Sequence, residues 1–285
     1  MRATCCSARY PESLSMDSAT PEIPAIPGSD ISPPPLTAAE LPPRVWKFWG
    51  TALWGFVVFA AMVVGQIGVV ILLLLAAPRM VGGPGAFDFE QLRQIASNGL
   101  AISLSVMAGL PAVLLALWLA IRWTRIPFAD YLALRWTSWR NVAIGAIGLV
   151  VLVEGWDLLS HAIGHEATPG FMIEVMKSAR DAGALWLMAL AFCVAAPITE
   201  ELFARGFLYR GWSESFLRVP GAIVLSSLVW TGMHLQYDQF FFGEVFCIGL
   251  WFGYVRYRSN SIWLTIVLHG LNNLGALAQT MYLGG

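Results

Sequence analysis

The sequence predicts an all-α fold: a polytopic membrane helix bundle preceded by a disordered N-terminal tail. Three observations carry this reading. Hydrophobic residues make up 57% of the 285-residue chain. Charged residues make up only 12%, against about 25% in an ordinary soluble domain. Mean hydropathy is +0.65, and the apolar residues collect in runs near the ~20 residues that cross a ~30 Å hydrocarbon core. The net charge of -1 argues against a nucleic-acid or other strongly charged partner and leaves the lipid bilayer as the medium.

Residues 1–45 hold nine of the sixteen prolines and many serines, with no apolar core of a signal peptide, so a disordered cytoplasmic tail is expected. Met16 is an alternative start to Met1. The transmembrane domain, 46–285, follows. Its apolar runs give seven spans, at 48–77, 99–121, 141–164, 184–208, 220–236, 239–255 and 260–281. The first run exceeds one crossing, and a break at Gly65 would make an eighth span. Lys and Arg counted between alternate spans fall thirteen on the side of the N-terminus and four on the other, which puts the N-terminus in the cytoplasm. Cys5, Cys6, Cys193 and Cys247 form neither a disulfide framework nor a CxxC metal site. There is no fixed-period repeat and no inverted pair of broken spans of the transporter kind. Gly249 and Gly253 form a small-xxx-small pair for close helix packing.

Ionisable residues inside spans are the informative ones, since each costs about 2.5–3.5 kcal/mol near the bilayer centre. They are Glu154, Asp157 and His161; Glu200, Glu201 and Arg205; His234; Glu244; and His269. Adjacent helical residues point about 100° apart, so Glu200 and Glu201 cannot serve the same point. Glu201 and Arg205 stand i,i+4 in the favourable order for an ion pair. Glu200 is left unpaired in its own helix and is the candidate for proton transfer. His269 and Asn273 make a polar stripe on the last span. If the fourth helix runs on to Trp212 and the fifth starts near Gly221, Glu200 and His234 lie about 18 Å from the cytoplasmic turn and His269 about 13 Å. The three then meet near one level. Glu154, Asp157 and His161 share another face and suggest cavity lining or a second site, and Glu244 has no evident partner. Pro197 is expected to kink the fourth helix by freeing the carbonyl of Cys193. An HExxH helix, a GxSxG elbow and a GxGD motif are absent.

These residues resemble the CPBP intramembrane proteases, the family of type II CAAX prenyl endopeptidases and bacterial Abi or bacteriocin-processing proteins. Its EExxxR motif is matched by Glu200, Glu201 and Arg205. Its FxxxH motif appears with Trp230 in place of phenylalanine, followed by His234, and its HxxxN motif is matched by His269 and Asn273. The resemblance spans about 180–280. It implies hydrolysis of a peptide bond in a membrane-associated peptide or protein, in the inner (plasma) membrane of a bacterium. Glu200 would be the general base, and Glu201, His234, His269 and Asn273 would complete the catalytic set. His234 and His269 would bond the water directly or, with Glu200, hold zinc or another divalent metal. Asn273 would orient a neighbour or meet the oxyanion, and Arg205 and Trp230 would support the site. Two readings of other classes stay open: a transporter whose pathway these residues line, and an immunity or scaffold protein that binds without turnover.

Overall fold

The structure, a computed structural model, describes residues 43–81, 95 and 97–283. The tail expected to be disordered lies almost wholly outside the described residues, as do Cys5, Cys6 and Arg93. Nine helices build the described chain: α1 (Phe48–Val81), α2 (Gly99–Arg122), α3 (Phe128–Leu132), α4 (Trp139–Ile163), α5 (Gly170–Asp181), α6 (Leu185–Ser213), α7 (Arg218–Thr231), α8 (Gln239–Ser259) and α9 (Ile262–Leu283). No strand occurs among the described residues.

Each of the seven expected apolar runs is a helix. Among the described residues, four helices are long and apolar enough to cross a membrane: the Phe48–Leu73 part of α1, α2, α4 and α6. At 14 residues, α7 spans only about 21 Å, short of a ~30 Å core. α9 has the length, at 22 residues, but His269, Asn272, Asn273 and Gln279 dilute its apolar surface. α1 runs unbroken through Gly65, so the break that would have made an eighth span does not occur. A Cβ at Gly65 would meet the Ala108 carbonyl at 2.9 Å and the Gly109 Cα at 3.4 Å. That glycine lets α1 and α2 cross closely instead of separating them.

Local chemistry sets the helix ends. Asn98 caps α2 by accepting from the Ala101 N–H at 3.0 Å, and Asp238 caps α8 by accepting from the Phe240 and Phe241 N–H groups. α8 stops at Asn260, a residue in the left-handed region at φ 47°. α5 lies where the sequence reading placed only a connection. Its Met172, Val175, Met176 and Ala179 are buried, an i, i+3, i+4, i+7 stripe that amphipathic periodicity alone would have found.

Apolar surface is buried in layers around α6. One cluster joins Val58, Leu117, Tyr131, Phe203, Phe207 and Ile262, tying α1, α2, α3 and α9 to α6. Another joins Leu149, Ala204, Trp230, Phe252 and Leu268, bringing α4, α7, α8 and α9 onto its other side. α6 is thus the central helix, and residues 201–209 of it are all buried. Outward faces of α1 and α4 remain apolar and exposed, with Phe56, Leu72, Val151 and Leu158 between 66% and 71% accessible. Such faces suit lipid, not water.

Candidate active site

α6 is not a uniform α-helix. It widens into π-helical turns at Ala191–Ala195 and again at Leu202–Leu208, on either side of an α-helical segment, Ala196–Glu201, that carries both glutamates. π turns of this kind are frequent at functional sites because they rotate side chains out of the regular register. Pro197 explains part of the first. The Ala196 N–H bonds the Ala191 carbonyl, five residues back, so the N–H that proline lacks is the one that would have reached Phe192. The carbonyl expected to be freed was that of Cys193; the π register moves the vacancy to Phe192.

Asn273 fills that vacancy, its Nδ2 donating to the Phe192 carbonyl at 2.8 Å. α9 can come this close because Gly270 has no side chain: a Cβ there would lie 2.6 Å from the Cys193 carbonyl oxygen. Asn273→Ala or Asn273→Asp leaves a part-buried acceptor without its donor, and we expect either to cost about 1 kcal/mol. Thermal unfolding in detergent checks this. An unchanged midpoint in both variants would show that the Asn273 bond contributes nothing to α6.

The two glutamates have separate surroundings. Glu201 is fully buried and accepts from Arg205 Nη1 at 2.9 Å. Arg205, equally buried, also donates from Nη2 to the Gly249 carbonyl of α8 at 3.0 Å. Its guanidinium lies over the Trp230 ring, 4.4 Å from the centroid. Glu201 Oε1 is 3.1 Å from His269 Nδ1. A carboxylate can only accept, so Nδ1 donates, and in the neutral imidazole Nε2 then keeps its lone pair.

Glu200 points elsewhere. Its Oε2 accepts from Trp230 Nε1 at 2.6 Å, and the Nε2 atoms of His234 and His269 each stand 3.9 Å from that same oxygen. His234 follows the end of α7, which stops at Thr231 and not at 236, so the histidine sits in the turn beyond the helix. Its Nδ1 donates to the Trp230 carbonyl at 3.0 Å, which again leaves Nε2 bare. Both imidazoles therefore turn Nε2 toward one oxygen of Glu200, each oriented by a hydrogen bond on its far side.

A cavity of about 1170 Å³ opens onto this constellation. Glu200, Trp230, His234 and Asn273 line it, whereas His269, Glu201 and Arg205 stand behind its wall. Most of the remaining lining is apolar and comes from α1, α2, α4, α5, α8 and α9. Glu154, Asp157 and Glu244 line the same cavity, and Asp157 accepts from Gln279 of α9 at 3.1 Å. His161 is exposed and does not line it. The site residues named from the sequence thus come together around α6, while the polar stripe of α4 contributes cavity wall at another level.

The donor set can be tested against a metal. Two bare Nε2 atoms suit zinc chemically, yet Glu200 Oε2 is already engaged by the Trp230 N–H. Among the described residues, no three His, Cys, Asp or Glu side chains form a group that could hold a metal ion. As placed, the residues do not close around an ion.

Sequence reasoning missed three features here. Trp230 was read as packing, and its indole donor to Glu200 had no motif to announce it. Tyr237 is part of no motif, but it lines the cavity, its ring 5.9 Å from that of His234. Gly249 was read as packing alone, yet its carbonyl anchors Arg205.

Comparison with known proteins follows the same residues. No curated protein and no solved structure matches the chain. Residues 182–275, about a third of its length, match the family model described as type II CAAX prenyl endopeptidase Rce1-like, and that segment encloses all three motifs. Helices long and apolar enough to span a bilayer mark the chain as an integral membrane protein, and its segment 182–275 is similar to the CAAX-type intramembrane proteases. The resemblance read from the motifs is borne out: the segment that matches the Rce1-like family model, 182–275, is the one that carries them.

Proposed function

We propose that the chain is an intramembrane endopeptidase in which Glu200 activates a water molecule to hydrolyse a peptide bond of a membrane-associated peptide or protein. The observation that carries this is the convergence of two imidazole Nε2 atoms on one oxygen of Glu200 at 3.9 Å each, at the wall of a large apolar cavity. Water held there donates one hydrogen to Glu200 and the other to an Nε2 lone pair, which leaves its own lone pair for the scissile carbonyl carbon. Attack forms the C–O bond while Glu200 takes the proton. Collapse breaks the C–N bond, and Glu200 returns the proton to the departing nitrogen, giving an acid and an amine. Asn273 spends one amide hydrogen on Phe192, and the second is its means of meeting the oxyanion. Glu201 keeps His269 in the tautomer that accepts.

Zinc or another divalent metal would take Glu200, His234 and His269 as ligands and would polarise the same water. We expect cleavage to persist after exhaustive chelation; loss on chelation with return on adding zinc would put a metal on these three residues.

The test uses purified full-length protein in detergent with two quenched fluorogenic reporter peptides, one carrying a prenylated CAAX-type end and one unmodified. Glu200→Ala and His234→Ala should abolish cleavage while the fold is kept. The presence of Glu154, Asp157 and Glu244 in the same cavity favours a carrier as the second reading. Solute flux in liposomes that survives Glu200→Ala but requires Glu154 would select it, and peptide binding without turnover would select an immunity or scaffold protein. An inner-membrane location with a cytoplasmic N-terminus is proposed from the Lys and Arg distribution and the bacterial members of the family resembled.

A further inference from the structure

The indole of Trp230 touches more of the site than any other side chain. It donates to Glu200 Oε2 at 2.6 Å. Its ring meets those of His234 and His269 at centroid distances of 5.0 and 5.4 Å, and the Arg205 guanidinium covers it at 4.4 Å. We propose that Trp230 is a positioning residue for the reaction, its N–H fixing the orientation of the Glu200 carboxylate, and that Gly249 of α8 holds the indole in place by having no side chain. This rests on the proposed role of Glu200.

Glu200 is only 17% exposed, and among the described residues the hydrogen bond that reaches its carboxylate is the one from Trp230. A glutamate has three rotatable bonds, and an unanchored one would spread over several rotamers. The indole offers a single donor in a fixed direction. One donor leaves the carboxylate further lone pairs, so it can still receive a proton from water. Phenylalanine, the residue this motif carries in the family the chain resembles, would fill the space and pack against the histidines but has no N–H to donate.

The indole is itself held from below. A Cβ on Gly249 would lie 3.2 Å from Trp230 Cε3, 3.1 Å from Ser227 Cβ and 3.4 Å from Arg205 Nη2. Any side chain there presses on the indole and on the arginine together. One turn on, a Cβ at Gly253 would instead meet Ile223 Cγ2 at 2.8 Å, a contact between apolar groups. The two glycines share a helix and a spacing, but only Gly249 abuts the site.

The test compares kcat and KM on a reporter peptide that the wild-type protein cleaves. Losing a hydrogen bond to a charged group should lower kcat of Trp230→Phe by about tenfold to a hundredfold, with KM within about twofold. Gly249→Ala should lower kcat in the same sense. Gly253→Ala should lower the unfolding midpoint and leave kcat of the folded protein unchanged. Full kcat in Trp230→Phe would overturn the proposal. If that variant does not fold, full kcat in Gly249→Ala overturns it equally. A second arm needs no substrate: Trp230→Phe should lower the unfolding midpoint more in the wild-type background than in Glu200→Ala. Equal drops in both backgrounds would count against the bond. Coupled midpoints in a protein that cleaves neither reporter would support the positioning bond while overturning the protease reading, so the two failures are told apart.

Discussion

Glu200→Gln is expected to lower kcat by about a thousandfold, within the roughly 10²–10⁴ that a positioned general base contributes, with the unfolding midpoint close to wild type. Glutamine preserves the shape of the side chain, and its amide oxygen can still accept from Trp230 Nε1, so the contact at 2.6 Å survives. What is lost is the capacity to take a proton from water. The substitution therefore separates chemistry from folding better than alanine does. Cleavage of a reporter peptide and thermal unfolding, measured on the same preparation, check both halves. A glutamine variant that turns over at the wild-type rate would mean that Glu200 is not the base.

Arg205→Met should have the largest effect on stability, about 3–5 kcal/mol. Arg205 and Glu201 are both fully buried, 2.9 Å apart, and removing the cation strands a carboxylate where water cannot reach it. The hydrogen bond to the Gly249 carbonyl and the cover over Trp230 and Phe252 disappear with it. Glu201→Gln added to Arg205→Met removes the stranded charge, so the double variant should recover a large part of the loss even though it lacks both charges. Unfolding in detergent distinguishes the cases. A single variant as stable as wild type would show that Glu201 is neutralised by something other than Arg205. Activity need not follow stability in the double variant, because Glu201 also sets the tautomer of His269.

The two expected results would divide the glutamate pair into one member that reacts and one that holds the architecture. The separate surroundings of the two were visible in the spacing, since neighbours on a helix face different directions and Glu201 alone has a cation four residues on. The depth argument also depended only on counting residues. It required α6 to reach Trp212 and α7 to begin near Gly221, and the observed bounds, Ser213 and Arg218, meet it with a few residues to spare.

Other features of the site could not be counted out of the chain. His234 stands beyond the end of α7, so its placement follows from the turn at Gly232 and not from helical periodicity. Asn273 bonds the Phe192 carbonyl, a partner that exists only because a π turn shifts the vacancy left by Pro197 by one residue. α5 was legible as an amphipathic stripe but stands between two longer apolar runs that drew the reading to themselves.

The sequence by itself determined that the chain is a helical membrane protein, which residues carry charge inside it, and which of those can pair within a single helix. These depend on composition and on the 1.5 Å and 100° of one α-helix, and both are local. Only the tertiary structure decided that Trp230 binds Glu200, that His269 is oriented by Glu201, and that Gly249 lies beneath the indole. Each of these joins different helices, and their relative rotation and height are set by how side chains pack among α6, α7, α8 and α9, which no single helix encodes.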